Sequence, residues 1–190
     1  MRNLFLAGAG AIVLLALASP AAAASGAACL WDNLPSDKRE RTLETYSTDL
    51  DAAFELSLFT DADFDAAART CKISGQERTL KVATAMAGLE VERGSTRWLL
   101  AYGFTQEKLD AAWPKVSERV VGAAGRVGTP AADDAFDKAT RRFAQLLGVS
   151  GELRKQQPRP PVMQYLFSYV MGRALREAND IDVAGPGNQI

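Results

Sequence analysis

The sequence predicts an all-α protein: a single-domain helical bundle of about six or seven helices with one disulfide. Apolar residues recur three, four and seven positions apart along most of the chain, which is the spacing of a buried helix face. No segment sustains the alternation of apolar and polar residues that a half-buried strand shows. We expect a signal peptide over residues 1–24, a helical domain over residues 25–179 and a disordered tail over residues 180–190.

The N-terminal segment has the three parts of a secretory signal peptide. Arg2 supplies a positive charge, residues 4 to 18 form an apolar run, and the small residues Ala22 and Ala24 suit signal peptidase. This run is too short to cross a bilayer of about 30 Å as a helix, and no later segment is longer. The sequence therefore predicts export to the periplasm or the extracellular medium, with a mature chain that starts at Ser25 and has no transmembrane segment.

Cys29 and Cys71 are the two cysteines of the chain. An even number of cysteines in an exported protein predicts a disulfide, which should stabilise the fold by roughly 4 kcal/mol. A second interpretation is a lipoprotein anchored through Cys29, because small residues precede that cysteine. A lipoprotein signal normally has a leucine-like residue three positions upstream, where this chain has Gly26, so the disulfide is favoured.

Two helical regions are predicted before residue 72. The first follows Pro35, a residue suited to the first turn of a helix, and a break near Ser47 would divide it into two helices. Thr60 can cap the second, which carries Cys71 on its inward face. The other apolar positions behind these predictions are Leu43, Tyr46, Leu50, Ala53 and Phe54 in the first region and Phe64, Ala67 and Ala68 in the second.

Glycines and a proline divide the middle of the chain. A wide apolar arc over residues 76 to 93 predicts a central helix that ends at Gly94, followed by a short helix that ends at Gly103. Thr105 opens a further helix. Within it Pro114 removes a backbone donor, so we expect a kink about one turn earlier.

The last third of the chain holds the clearest helix start. Thr129 and Pro130 begin a helix whose narrow apolar stripe stops at Gly148. Residues 151 to 161 read as a basic linker stiffened by proline, and they lead to a final helix over about residues 162 to 178.

The chain contains no histidine. This excludes Ser-His-Asp and Cys-His catalysis, zinc sites with histidine ligands and histidine-ligated haem. Residues 61 to 65 resemble the opening of an EF-hand calcium loop, but Ala66 stands where that loop needs glycine and Lys72 where it needs glutamate. We predict no cofactor and no metal site. The mature chain has 21 basic and 23 acidic residues, and its net charge of −2 predicts no nucleic-acid partner.

The final helix is apolar or aromatic almost all round, which allows two interpretations. A helix of this kind is usually a central core helix. Its methionines and tyrosines are also typical of contact surfaces, where they would bind a protein partner or a second copy of the chain. The residues of this candidate interaction surface are Met163, Tyr165, Phe167, Tyr169 and Met171.

No motif identifies a specific activity, and the composition favours non-catalytic binding or protein–protein interaction over catalysis. The alternative is a carboxylate-dependent hydrolase acting on cell-wall glycans, which needs only two suitably spaced carboxyl groups. Nothing in the spacing singles out a pair. Arg93 and Arg97 flank the predicted break at Gly94 and could bind an anion there. The helical carboxylates available to a hydrolase are Glu55, Glu77, Glu90, Glu92 and Glu118.

Overall fold

The computed structural model describes residues 24–56 and 58–183, and α-helices hold most of them. The predicted signal peptide, apart from Ala24, lies outside the described residues, as do residues 184–190 of the predicted tail. The all-α class is confirmed, with ten α-helices in the described part of the chain. The elements are β1 (Ala24–Ser25), α1 (Gly26–Asn33), α2 (Ser36–Thr48), α3 (Leu50–Glu55), α4 (Asp61–Thr70), α5 (Gln76–Tyr102), α6 (Gln106–Ala112), a 3₁₀ turn (Trp113–Lys115), α7 (Ser117–Ala124), α8 (Pro130–Leu146), α9 (Gly151–Lys155), α10 (Pro161–Asn179) and β2 (Asp182–Val183).

The two longest helices, α5 and α10, cross in backbone contact at the centre of the molecule. A Cβ on Gly88 of α5 would lie 2.6 Å from the carbonyl oxygen of Gly172, and a Cβ on Gly172 would lie 2.7 Å from the carbonyl oxygen of Gly88. Only glycine at both positions permits this approach. Helices α7 and α8 pack on α10.

The prediction that a helix ends at Gly94 is wrong, because α5 continues through it to Tyr102. A Cβ at Gly94 would overlap the side chain of Tyr46, so the glycine lets α2 pack closely on α5. This packing offsets the roughly 1 kcal/mol by which glycine disfavours a helix relative to alanine. The helix ends instead at Gly103, which has a φ of 112°.

Several predicted helices are divided by local hydrogen bonding. Asp49 separates α2 from α3 and caps α3 by accepting from the amide of Ala52 at 3.0 Å. This separation confirms the predicted break near Ser47. Pro114 breaks the helix into α6 and α7 across a 3₁₀ turn, where we expected only a kink. Two short helices were not predicted: α1, and α9 within the basic linker.

Two hydrophobic cores share α5. The N-terminal core comprises buried residues of α1, α4 and the first half of α5, and the body core comprises buried residues of α2, α3, the second half of α5, α6, the 3₁₀ turn, α7, α8 and α10. The predicted disulfide joins Cys29 of α1 to Cys71 at the end of α4, with 5.9 Å between the Cα atoms. A bonded sulfur offers no thiol for acylation, so this arrangement does not favour the lipoprotein interpretation.

The beginning of the segment that we expected to be disordered is ordered. The amide of Gly26 donates to the carbonyl of Ile181 at 2.8 Å, and the amide of Ala27 donates to the Asp180 carboxylate at 3.1 Å. Ser25 pairs with Asp182 in the short antiparallel ladder of β1 and β2. These backbone and capping contacts do not depend on apolar content, and Ile181 and Val183 also pack against the N-terminal core, which the prediction missed. Among the described residues, no helix is long and apolar enough to cross a membrane.

Candidate functional site

Three of the five residues of the candidate interaction surface on α10 are buried within the chain. Met163 is 3% exposed, Tyr165 is 4% exposed and Tyr169 has no exposed surface. Phe167 and Met171 are partly buried against the body core. The helix lies between α5, α7 and α8, so most of its circumference packs on other parts of the same chain.

One of these buried tyrosines is the inner end of a stack of aromatic rings that reaches the surface. Tyr165 stacks on Trp98 of α5 with ring centroids 4.2 Å apart and planes 2° apart. Trp98 stacks on Tyr102 at 4.9 Å, and Tyr102 stacks on Phe104 at 5.7 Å. We call these four rings the aromatic column.

Local sequence explains the outer part of the aromatic column. Trp98 and Tyr102 are four positions apart on α5, so they lie on the same face. Gly103 then turns the chain in a left-handed conformation, and the amide of Phe104 donates back to the carbonyl of Leu99 at 3.1 Å. This turn folds the Phe104 ring under Tyr102.

Phe54 of α3 is a further exposed aromatic ring, which is linked to the aromatic column through Tyr46 and α5. Tyr102 is 53% exposed and Phe54 is 52% exposed. The Phe54 ring packs edge-on against Tyr46 at 5.8 Å, and Tyr46 packs on α5 one turn before Trp98. Exposed aromatic rings of this kind are typical of contact surfaces. The aromatic surface is the set Phe54, Trp98, Tyr102 and Phe104.

Carboxylates border the aromatic surface on the side of α3. Asp49, Asp51 and Glu55 are exposed. Burial raises the pKa of the Tyr165 hydroxyl, and the negative charges of Asp49 and Asp51 raise it further. In the described residues, none of the three carboxylates has a basic side chain within 4.0 Å. The border is therefore negatively charged and free to pair with a cation.

A second cluster, on the last turns of α10, is internally satisfied. Arg173 donates to Asp110 and to the Tyr169 hydroxyl, each at 2.6 Å, and it lies 5.0 Å from the centroid of the Trp113 ring. Arg173 lowers the pKa of the Asp110 carboxyl, whereas burial raises the pKa of Tyr169 to about 12. The indole of Trp113 donates to Glu177 at 3.0 Å.

Arg173 and Arg176 lie near the C-terminus of α10, where basic side chains suit the helix dipole, and both also have partners on other helices. Arg176 forms a second pair with Glu92 of α5, at 2.6 and 3.2 Å. Asp110 and Glu92 lie on helices far from α10 in sequence, so no local pattern indicates them, whereas Tyr169 and Glu177 lie four positions from Arg173 on the same helix. The cluster holds α6 and the 3₁₀ turn against α10, and its charged and polar side chains are hydrogen-bonded to one another.

Glycan hydrolysis needs two neighbouring carboxylates, and none of three surface cavities in the described part of the chain contains such a pair. In each of three surface cavities a single carboxylate contributes to the lining: Glu77, Glu92 or Glu118. Burial raises the pKa of Glu90 to about 7, but Glu90 lines none of the three. Glu55 is exposed at the border of the aromatic surface.

The acidic residues 61 to 65 belong to a helix start. Asp63 and Thr60 form a reciprocal capping box at the start of α4. A hydrogen bond from Lys38, at 2.6 Å, is the main cause that lowers the pKa of Asp63 to about 2. Within residues 24–56 and 58–183, no group of three or more Asp, Glu, Cys or His side chains could hold a metal ion.

The expected anion site at Arg93 and Arg97 is not formed. The helix continues through Gly94, so no new N-terminus lies between them. Arg93 lies over the Trp31 ring at 5.6 Å, and Arg97 pairs with Glu40 at 2.6 Å.

No family model, no curated protein and no solved structure matches this chain.

Proposed function

We propose that this protein is an exported, non-catalytic binding protein that associates with another protein through its aromatic surface. The observation that carries the proposal is Tyr102, which is half exposed although it is stacked at the outer part of a rigid aromatic column. Export is supported by the composition of the N-terminal segment and by the disulfide, which is typical of oxidising compartments.

The stacked arrangement suits a binding surface because its rings are already ordered. Trp98 lies between Tyr165 and Tyr102, so contact with a partner would immobilise few additional side-chain rotors. Tryptophan and tyrosine are also the residues that most often provide the largest contributions to protein interfaces. The aromatic surface therefore supplies apolar contact area at a small entropic cost.

The acidic border defines the chemistry of the partner. Asp49, Asp51 and Glu55 would repel an acidic segment and would pair with lysine or arginine. The partner that fits is an apolar segment flanked by basic residues, such as one face of an amphipathic helix.

The test uses two labelled helical peptides of the same pattern, one of leucine and lysine and one of leucine and glutamate. Fluorescence anisotropy should show that the mature protein binds the basic peptide at least about tenfold more tightly. The double variant Phe54→Ser/Tyr102→Ser should lose about tenfold in affinity, because two aromatic contacts are removed. Both side chains are more than half exposed, so the fold should persist.

Leu80→Ser is the matched control. Leu80 is 67% exposed on the same helix but about 30 Å from Tyr102 along the helix axis, so the substitution should leave peptide affinity unchanged. Equal binding of the two peptides, or full binding by the double variant, would overturn the proposal. Sedimentation is the second measurement, and it could show that the unmodified protein is a dimer and that the double variant is a monomer. That result would show that the aromatic surface binds a second copy of the chain, and it would overturn the proposal of a basic partner.

A further inference from the structure

A separate cleft opens between the 3₁₀ turn with the start of α7 on one side and α8 on the other. Its volume of about 700 Å³ lies within the range of small-ligand sites, roughly 300 to 1,000 Å³. The aromatic surface contributes none of its lining. The lining residues are Pro114, Lys115, Val116, Glu118, Arg119, Ala139 and Arg142.

The cleft carries an excess of positive charge in a protein whose net charge is negative. The lining includes three basic side chains, Lys115, Arg119 and Arg142, and one carboxylate, that of Glu118. In the described part of the chain, none of the three cations has a carboxylate within 4.0 Å. Arg142 donates at 2.9 Å to the uncharged side chain of Gln145.

The other two basic side chains of α8 are ion-paired, unlike Arg142 within the described residues. On α8, Lys138 pairs with Asp134 and Arg141 pairs with Asp137, each at 2.8 Å. Arg159 also pairs with Asp137. In the described part of the chain, Arg142 is thus the basic side chain of α8 that is left for a ligand or solvent.

The floor of the cleft is apolar. Val116 is 6% exposed and Ala139 is 2% exposed, so both present only a small apolar area at the base, and Pro114 extends this area at the edge. Two guanidinium groups suit the bidentate recognition of phosphate or carboxylate oxygens. An apolar floor beneath a cationic rim fits a molecule with an anionic head group and a short apolar body.

We propose that this cleft binds a small organic anion of that class, a phosphate monoester or a carboxylate with an apolar substituent. The cations hold the oxyanion head group, and the floor made by Pro114, Val116 and Ala139 contacts the apolar body. This site is independent of the aromatic surface, and either could exist without the other.

The probes are phenyl phosphate, benzoate, inorganic phosphate and benzyl alcohol, titrated into the mature, oxidised protein and followed by amide chemical shifts. Phenyl phosphate or benzoate should bind at least about tenfold more tightly than benzyl alcohol, which lacks the charge, and than inorganic phosphate, which lacks the ring. Whichever of phenyl phosphate and benzoate binds more tightly shows whether the cleft prefers a phosphate or a carboxylate. The largest shifts should lie in residues 114 to 119 and 139 to 142.

Arg119→Gln/Arg142→Gln removes two of the three cations and should weaken binding of the stronger probe at least about tenfold. Arg126→Gln removes an exposed arginine that does not line the cleft, so it should leave the affinity unchanged. In the unmodified protein, affinity should also fall as salt is raised, which tests the electrostatic contribution without a substitution. Binding of the organic anions no tighter than that of benzyl alcohol or of inorganic phosphate would overturn the proposal. So would affinity that the double variant or salt leaves unchanged.

Discussion

The N-terminal core and the body core pack on the same helix, but they are stabilised in different ways. In the described residues, the body core contains more than twice as many buried apolar residues as the N-terminal core. It includes stacked and edge-on aromatic pairs such as Phe143 with Tyr169, and the Arg173 cluster reinforces it. The N-terminal core is built from two short helices and the first half of α5, and it is closed by the disulfide and the strand pair.

This difference shows how chain size affects the means of stabilisation. A small core buries too little apolar surface to offset the entropy of ordering its chain, so covalent and backbone links contribute a larger share. The body core buries enough surface to be stable by packing, and its side chains must therefore fit closely. Removing one component from each core tests this contrast.

The largest effect is expected for Phe143→Ala in the body core. The ring has no exposed surface and stacks on Tyr169 at 5.5 Å, so its loss leaves a cavity and should lower the free energy of unfolding by about 3 to 5 kcal/mol. Denaturant unfolding measures this change. Phe167→Ala is the control, since that ring is only partly buried and should cost roughly half as much. An equal or larger effect of Phe167→Ala would contradict close packing at Phe143.

Removing the disulfide should have the next largest effect, and it should be confined to the N-terminal core. Cys29→Ser/Cys71→Ser opens a link across 42 positions of sequence and should cost about 2 to 4 kcal/mol. Hydrogen exchange should show that amides of α1 and α4 lose protection while those of α8 keep it. Uniform loss of protection across the chain would instead show that the two cores unfold as one unit.

The crossing of α5 and α10 joins the two cores and should tolerate no added methyl group. In Gly172→Ala the new Cβ meets backbone atoms at 2.7 Å, so the helices must separate at a cost of about 1 to 3 kcal/mol. Gly122→Ala is the matched control, because Gly122 lies in α7 with no neighbour within 4 Å of the new Cβ. That change should stabilise the protein by about 0.5 to 1 kcal/mol. Thermal unfolding midpoints that move in the same direction for both variants would contradict this account.

The smallest effect is a pH dependence from Glu90, which lies on α5 between the two cores. Burial raises its pKa from 4.5 to about 7, so the native protein holds a proton that the unfolded chain releases at lower pH. The contribution of Glu90 to the free energy of unfolding should be most favourable below pH 4.5. It should fall as the pH rises from 4.5 to 7 and change little above pH 7. Partial exposure of the side chain limits the change to roughly 1 to 2 kcal/mol.

Glu90→Gln should remove this contribution, because the amide does not titrate. Unfolding free energies measured from pH 5 to pH 8 should therefore decline less steeply for the variant than for the unmodified protein. Parallel pH profiles for the two proteins would show that Glu90 titrates normally.

The sequence by itself determined the helical class, several helix ends and the disulfide partners. The caps at Thr60 and Thr129 and the stop at Gly103 depend on residues within one turn, and local hydrogen bonds are encoded locally. The two cysteines had no other thiol to bond with.

Only the tertiary structure decided which apolar and charged groups meet, because burial depends on residues distant in the sequence. Gly94 lies within a helix rather than ending it, since Tyr46 of α2 packs on it. Tyr165 is buried beneath Trp98, whereas Tyr102, which also stacks on Trp98, is exposed. Among the described residues, the cations of the cleft have no carboxylate within 4.0 Å, and it is the packing of α7 against α8 that brings Arg119 and Arg142 into one cleft with Glu118. Periodicity indicates that a residue faces inward or outward on its own helix, but the arrangement of the other helices decides what covers it.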